Sequence, residues 1–426
     1  MRLIVERERE IEKFKTEEFW RLAVNFQNGV SAELFSKNGE KYEKEEKFSL
    51  FDGEYTVTKT SIDKEKAEDL EKILPVFQYV VNNIEKREVS RFPGPPFTTS
   101  TLQQEAGRKL FFSAKRTMQA AQRLYEEGLI TYHRTDSVNL AAEAIEKCRQ
   151  YVLEEFGKDY LPSEPRIYRT KSKVAQEAHE AIRPTNVKKD AVSETVGRDE
   201  ARLYVLIWKK FVACQIREAI FDQTSVEILA DSHKMTDGAP RAKLVVTSSA
   251  LCRGEHPASS DRNVGTIWRD RYLFRANGLI RKFPGFLKVY EQEAEDKPLP
   301  EMIVGEKLEF VKTLKTQHFT GAPPRYTEAA LIKTLEEKSI GRPSTYAPTI
   351  STITERNYIE IFEKKLQPTA LGSAVNDFLV RYFPDILNIP FTAKMEDDLD
   401  EIANGKTLWM PVVSSFYGPF EEKLAT

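Results

Sequence analysis

Apolar residues recur at three- and four-residue spacing in some stretches of the chain and at two-residue spacing in others, and the two textures alternate. Helical spacing runs through residues 2–14, β-like alternation occupies 19–59, and a short helical stretch covers 64–74. Residues 91–96 read Arg-Phe-Pro-Gly-Pro-Pro, a breaker cluster that predicts a crossing before the largely helical region 98–208. Within that region Met118, Ala121, Leu124 and Tyr125 share a helical face of 113–127, and Gly128 stands where a helix stop belongs. Ile145, Cys148, Val152 and Phe156 mark a second helix closed by Gly157, with Ser137 or Asn139 as its expected N-cap. Alternation returns over 221–320, in runs such as 224–229 and 243–246, around a Ser-, Gly- and charge-rich stretch at 231–270 that reads as an insertion. After Pro323 and Pro324 the chain is helical again, at 327–338 and from 348 to 356.

This order predicts an α+β multidomain fold in which a helical unit is inserted between two arms of one β structure. The expected divisions are 1–17 completed by 324–426 as one helical domain, 18–93 and 221–323 as the two β-rich halves, and 94–220 as the inserted helical domain. A chain of 426 residues is too long for a single core, in keeping with several domains. No apolar run is long enough to span a bilayer and the N-terminus is not signal-like, so a soluble, cytoplasmic protein with no membrane partner is expected. Cys148, Cys214 and Cys252 form no Cys-x-x-Cys pair, which supports neither a disulfide framework nor zinc. The net charge of −2 conceals an asymmetry. Residues 91–220 hold 22 Lys and Arg against 17 Asp and Glu, whereas 1–90 hold 16 against 20 and 321–426 hold 11 against 15. A basic middle has the sign suited to meeting phosphates.

The candidate chemistry lies in that basic part. Residues 128–140 read Gly-Leu-Ile-Thr-Tyr-His-Arg-Thr-Asp-Ser-Val-Asn-Leu, which puts Tyr132, Arg134 and Asp136 on a short connection between two helices. Taken alone, such a tyrosine is an ordinary packing residue. Its hydroxyl can also attack a phosphodiester if a fixed cation such as Arg134 stabilises the charge that builds on the phosphoryl oxygens. Residues 176–185 contain His179 and Arg183, which would share a face if the segment were helical and could grip phosphate oxygens; the second histidine of a zinc-protease motif is missing, since position 183 is Arg. In Gly341-Arg342-Pro343-Ser344-Thr345, either Ser344 or Thr345 is an expected cap for the following helix, whose N-terminal amides beside Arg342 would suit an anion. The acidic run 396–401 reads as a solvated helical face, because Asp398 and Asp400 would point about 200° apart on a helix.

In their order, the segments 2–10, 17–20, 96–102, 128–137, 176–185, 324–328 and 341–347 resemble bacterial type IA DNA topoisomerases over most of the chain. The resemblance implies helical domains joined by a β-rich arch, with hinges near 91–96 and 220–223. It implies that Tyr132 is the nucleophile, forming a 5′-phosphotyrosyl link while a free 3′-hydroxyl is released, and that Arg134 stabilises the scissile phosphate. Asp136, His179, Arg183, Arg342, Ser344 and Thr345 would hold the single strand. Strand passage and resealing would then relax negatively supercoiled DNA without ATP. A monomer acting at the nucleoid is expected.

The chain also departs from the pattern. The acidic Toprim domain that binds Mg²⁺ in the family is not found ahead of Arg2, nor are zinc ribbons found before Thr426, so the chain looks like part of a longer enzyme that would not relax supercoils alone. His133 stands where bacterial relatives often have Met. Tyr-His-Arg also occurs in reverse gyrase, whose topoisomerase half is an alternative. A tyrosine recombinase fits poorly, since His179 and Arg183 follow the tyrosine with one residue too many between them. A single-strand-binding gate without chemistry remains the rival of another class.

Overall fold

The computed structural model describes residues 1–169, 179–192, 196–231, 270–291 and 296–424. The chain opens with helix α1 (Arg2–Lys13), followed by strands β1 (Glu18–Phe26), β2 (Ser31–Lys37), β3 (Glu40–Lys41), β4 (Glu43–Leu50) and β5 (Gly53–Thr60). Helix α2 (Lys64–Ile73) and the long strand β6 (Gln78–Arg91) lead to four helices, α3 (Thr99–Glu105), α4 (Ala114–Glu126), α5 (Ala142–Phe156) and α6 (Arg198–Cys214). Strands β7 (Ala219–Asp231), β8 (Arg271–Phe283), β9 (Lys307–Leu308) and β10 (Phe310–Phe319) follow. The remainder comprises α7 (Glu328–Glu337), α8 (Tyr346–Glu355), the hairpin β11 (Ile359–Phe362) and β12 (Lys365–Pro368), then α9 (Ala370–Tyr382), α10 (Ile389–Ala403) and α11 (Trp409–Leu424).

One antiparallel sheet organises the molecule, in the order β10-β1-β2-β8-β7-β6-β9 with β3 on β2. Alternation along β1 buries Leu22, Val24 and Phe26 against α2 residues Ala67 and Leu70, as a sheet with one solvated face requires. The register explains how helical units are carried on this sheet. Arg91, the end of β6, is paired with Ala219, the start of β7, so the chain leaves for 92–218 and returns between adjacent strands. Glu18 is likewise paired with Phe319, which brings α1 back to the helices after β10. Three apolar cores result. One fills the unit of α3 to α6, a second lies on the sheet, and a third joins Leu3 and Ile4 of α1 to Tyr326, Leu331, Ile332 and Tyr346.

Several local expectations are corrected. The region 98–208 is not continuously helical: 127–141 and 161–169 lack regular helix, and α6 runs on to Cys214. Neither Ser137 nor Asn139 caps α5. Its N-cap is Ala141, whose backbone N–H donates to Glu180 Oε1 at 2.6 Å, so a carboxylate 39 residues away does the work of a local cap. The β-like run at 243–246 and residues 232–269 of the expected insertion lie outside the described residues.

Candidate functional site

The segment bearing Tyr132 leaves α4 through Gly128, whose φ of 67° is the left-handed geometry that ends a helix, and Leu129 N–H donates back to Leu124 C=O at 2.9 Å. Its course is then set by remote partners. Thr131 N–H donates to Arg183 C=O at 2.9 Å, its hydroxyl donates to Ala181 C=O at 2.7 Å and accepts from Arg183 N–H at 3.0 Å. Tyr132 is 48% exposed, and its ring meets Tyr125 and His133 edge-on with centroids at 5.2 and 5.3 Å. A large half-exposed aromatic on a pinned backbone is poorly explained by packing alone.

His133 points the other way. It is fully buried, and neither ring nitrogen has a hydrogen-bond partner among the described residues. Burial first, and then the charge of Arg134, lowers its pKa to about 4, so it is a neutral ring wedged beneath the tyrosines. Arg134 is exposed and makes no ion pair among the described residues. It lines a cleft of about 610 Å³ between α4 and α8 together with Lys115, Arg123, Gln122, Pro343 and Ser344. Asp136 is half-buried, close enough to Glu336 and Tyr346 for its charge to raise the pKa of both.

Arg134 and Ser344 therefore share one cleft although 210 positions separate them. The turn that carries Ser344 closes on itself. Thr345 Oγ1 accepts from Arg342 N–H at 2.8 Å, so this hydroxyl gives no cap to α8, and Ser344 provides none either: the N-cap position is Thr345, without a side-chain capping bond. Helix α8 starts at Tyr346, earlier than its apolar spacing suggests. The Arg342 guanidinium donates to Asp400 Oδ2 at 3.1 and 2.5 Å, with Glu396 and Asp397 within 3.9 and 3.7 Å. The acidic run is thus not merely a solvated face; it holds Arg342.

The shared helical face of His179 and Arg183 is also corrected. Residues 179–185 are extended, with bridges from Ile182 to Phe97 and from Pro184 to Ile130, and residues 176–178 lie outside the described residues. His179 is exposed, whereas Arg183 is bound by Glu180 through Nε and Nη2 at 3.2 and 2.7 Å. Arg183 lines a separate cavity of about 910 Å³ with Ala141, Lys147 and Asn186, and Arg342, Ser344 and Thr345 belong to the opposite helical unit. Among the described residues no three His, Cys, Asp or Glu side chains converge as a metal site. With Asp400 and Glu396 turned to Arg342, these residues do not fit Mg²⁺.

Sequence reasoning passed over the groups that join the two units. Ala114 N–H donates to Glu328 Oε2 and Ser100 Oγ donates to Glu336 Oε2, each at 2.6 Å. Burial raises the pKa of both carboxyls. Lys115 and Glu355 add an exposed pair at 3.1 Å across the cleft. The signal for Glu328 was present, because Thr327 at an N-cap puts it in the first turn of α7, but nothing local shows that it reaches α4.

A family model described as DNA topoisomerase matches residues 1–241 and 244–414. DNA topoisomerase 1 of Rickettsia felis is 41% identical over all of this chain and 51% of its own length. The enzyme of that name from Campylobacter jejuni is 38% identical over all of this chain and 54% of its own. The chain spans about half the length of the curated relatives it matches. The structure of full-length topoisomerase I from Thermotoga maritima superposes with a TM-score of 0.74 at 31% identity, covering 99% of this chain and 61% of that one.

Proposed function

Because this chain belongs to the bacterial type IA DNA topoisomerase family, we propose that it carries the strand-cleaving centre and DNA gate of an ATP-independent topoisomerase. The observation that supports this most is a half-exposed Tyr132 two residues from an exposed Arg134 that makes no ion pair among the described residues, on a backbone that Thr131 anchors to Arg183. In the reaction, Tyr132 Oη attacks the phosphorus of a single-stranded phosphodiester and gives up its proton. The bond from phosphorus to the 3′-oxygen breaks, that oxygen takes up a proton, and the 5′-phosphate stays on the tyrosine. Arg134 supplies positive charge to the non-bridging oxygens as the transition state forms. After a second strand passes, the 3′-hydroxyl attacks the phosphotyrosine and restores both the DNA and the phenol. The ester conserves the bond energy, which removes the need for ATP.

Attack by a phenol at neutral pH needs electrostatic help beyond one arginine. Mg²⁺ is expected for the whole enzyme, and the described residues do not form its site. Lys115, Arg123 and Ser344 line the cleft and would meet the strand, and His179, Arg183, Arg342, Thr345 and Asp136 are proposed to contact it beyond the cleft. The proposed substrate is negatively supercoiled DNA, the working form a monomer and the location the nucleoid; no helix among the described residues is long and apolar enough to cross a membrane. A second reading is a single-strand-binding gate without chemistry, for which the basic side chains lining the cleft, Lys115, Arg123 and Arg134, would suffice. The substitution Tyr132→Phe separates the two. Both readings expect unchanged affinity for a single-stranded oligonucleotide, and only the first expects a covalent adduct that the substitution abolishes.

A further inference from the structure

The first turn of α3 touches the centre of the Tyr132 segment in a way that its sequence does not announce. Thr98 begins the helix with a capping box, its side chain accepting from Thr101 N–H while Thr101 Oγ1 accepts from Thr98 N–H at 2.8 Å, which fixes the direction of the turn. The next residue, Thr99, is fully buried. Its hydroxyl donates to His133 C=O at 2.7 Å and accepts from Thr135 N–H at 2.9 Å, while its own N–H donates to Thr135 C=O at 2.8 Å. These bonds fall on the two residues that flank Arg134. They wrap the peptide chain around one buried oxygen, and the Arg134 side chain between them lines the cleft.

Resting on the functional reading above, we infer that Thr99 is the positioning residue for Arg134. The geometry excludes a passive packing role for the hydroxyl, because it serves as donor and acceptor at once to groups two residues apart. A valine of nearly the same shape would leave the buried Thr135 N–H and His133 C=O without these partners, and the segment would relax by turning. Displacement of a catalytic cation by about 1 Å is enough to cost on the order of a hundredfold in rate. Serine keeps the hydroxyl and loses only a methyl group. The next residue, Ser100, donates to Glu336 of α7, so one helical turn holds both the reactive segment and the opposite unit.

The test is a double-mutant cycle on the full chain, read as affinity for a single-stranded oligonucleotide at fixed salt, with hydrogen exchange at residues 131–136 measured on each variant. Thr99→Val should weaken binding about fivefold when Arg134 is present and less than about twofold in the Arg134→Ala background, since a cation that is absent cannot be misplaced. Thr99→Ser should stay within about twofold of the parent and keep the Thr135 amide protected. Equal losses in both backgrounds, or no loss and unchanged exchange with Thr99→Val, would overturn the inference. An Arg134→Ala variant that binds normally would also overturn the inference while leaving the functional reading intact, whereas a parent chain that fails to bind would defeat the functional reading and this inference with it. Thermal unfolding identifies a Thr99→Val variant that has lost its fold, and in that case Thr99→Ser with raised exchange at Thr135 would count against the role.

Discussion

The Tyr132 segment and the Arg342 turn both connect two helices, both carry an arginine and both reach one cleft, through Arg134 in the first and Ser344 in the second, yet they are built in opposite ways. In the first, the backbone is held by distant partners, Thr99 on one side and Ala181 and Arg183 on the other, and the reactive groups are left exposed. In the second, the turn is closed by its own residues, Arg342 and Thr345, while the guanidinium is occupied by Asp400. A rigid backbone with an unspent cation suits transition-state stabilisation, which gains most from charge that needs no rearrangement. A cation already paired must exchange one anion for another, so its net gain on meeting a phosphate is smaller. The comparison teaches that the presence of an arginine in such a connection says less than whether its charge is already paired among the described residues.

The sharpest way to break this contrast is to remove each cation in turn. Arg134→Ala should reduce covalent capture of DNA on the order of a hundredfold to a thousandfold in single-turnover assays, whereas Arg342→Ala should lower it by less than about tenfold. Equal losses would mean that pairing with Asp400 does not restrain Arg342. A smaller change is expected from releasing it: Asp400→Asn should tighten single-strand binding about threefold and steepen the salt dependence by about one counterion, measured as the slope of log affinity against log salt.

His133 bears on the rigidity of the Tyr132 segment. Its folded pKa, about 4, lies below the ordinary value of 6.5, so the unfolded chain binds the proton more readily between those values and stability falls as pH drops from 6.5 toward 4. His133→Met should flatten that part of the stability profile by roughly 1–3 kcal/mol in denaturant titrations at pH 7 and pH 4.5. The smallest effect should come from Glu180→Gln, which weakens the cap on α5 and the hold on Arg183 and should cost about 1 kcal/mol in the same titrations.

The elements themselves were largely legible. Apolar spacing in 113–127 with Gly128 behind it marked α4, and alternation before and after the helical region marked strands that meet in one sheet. Of the segments that carry the family resemblance, 128–137 and 341–347 meet at one cleft, through Arg134 and through Pro343 and Ser344. What could not be read were the long-range substitutions for local chemistry. Glu180 replaces Ser137 and Asn139 as the cap of α5, Asp400 ties Arg342 from 58 positions away, and Thr99 holds the chain around Arg134 from 34 and 36 positions away. A cap or a salt bridge leaves a trace in sequence only when its partners are a turn apart. The acidic run 396–401 looked solvated for that reason, since its partner lies on another helical unit.

The most direct test of Tyr132 as the nucleophile uses a 3′-labelled single-stranded oligonucleotide with a bridging 3′-phosphorothiolate, whose thiolate departs without a proton donor. Incubation with the chain, denaturing electrophoresis and mass spectrometry of the labelled peptide should place the 5′-phosphate on Tyr132, with no label on the Tyr132→Phe variant. The absence of any adduct on a parent chain that binds the oligonucleotide would favour the gate without chemistry of its own, and an adduct that persists in the variant, or that maps to another residue, would contradict the assignment.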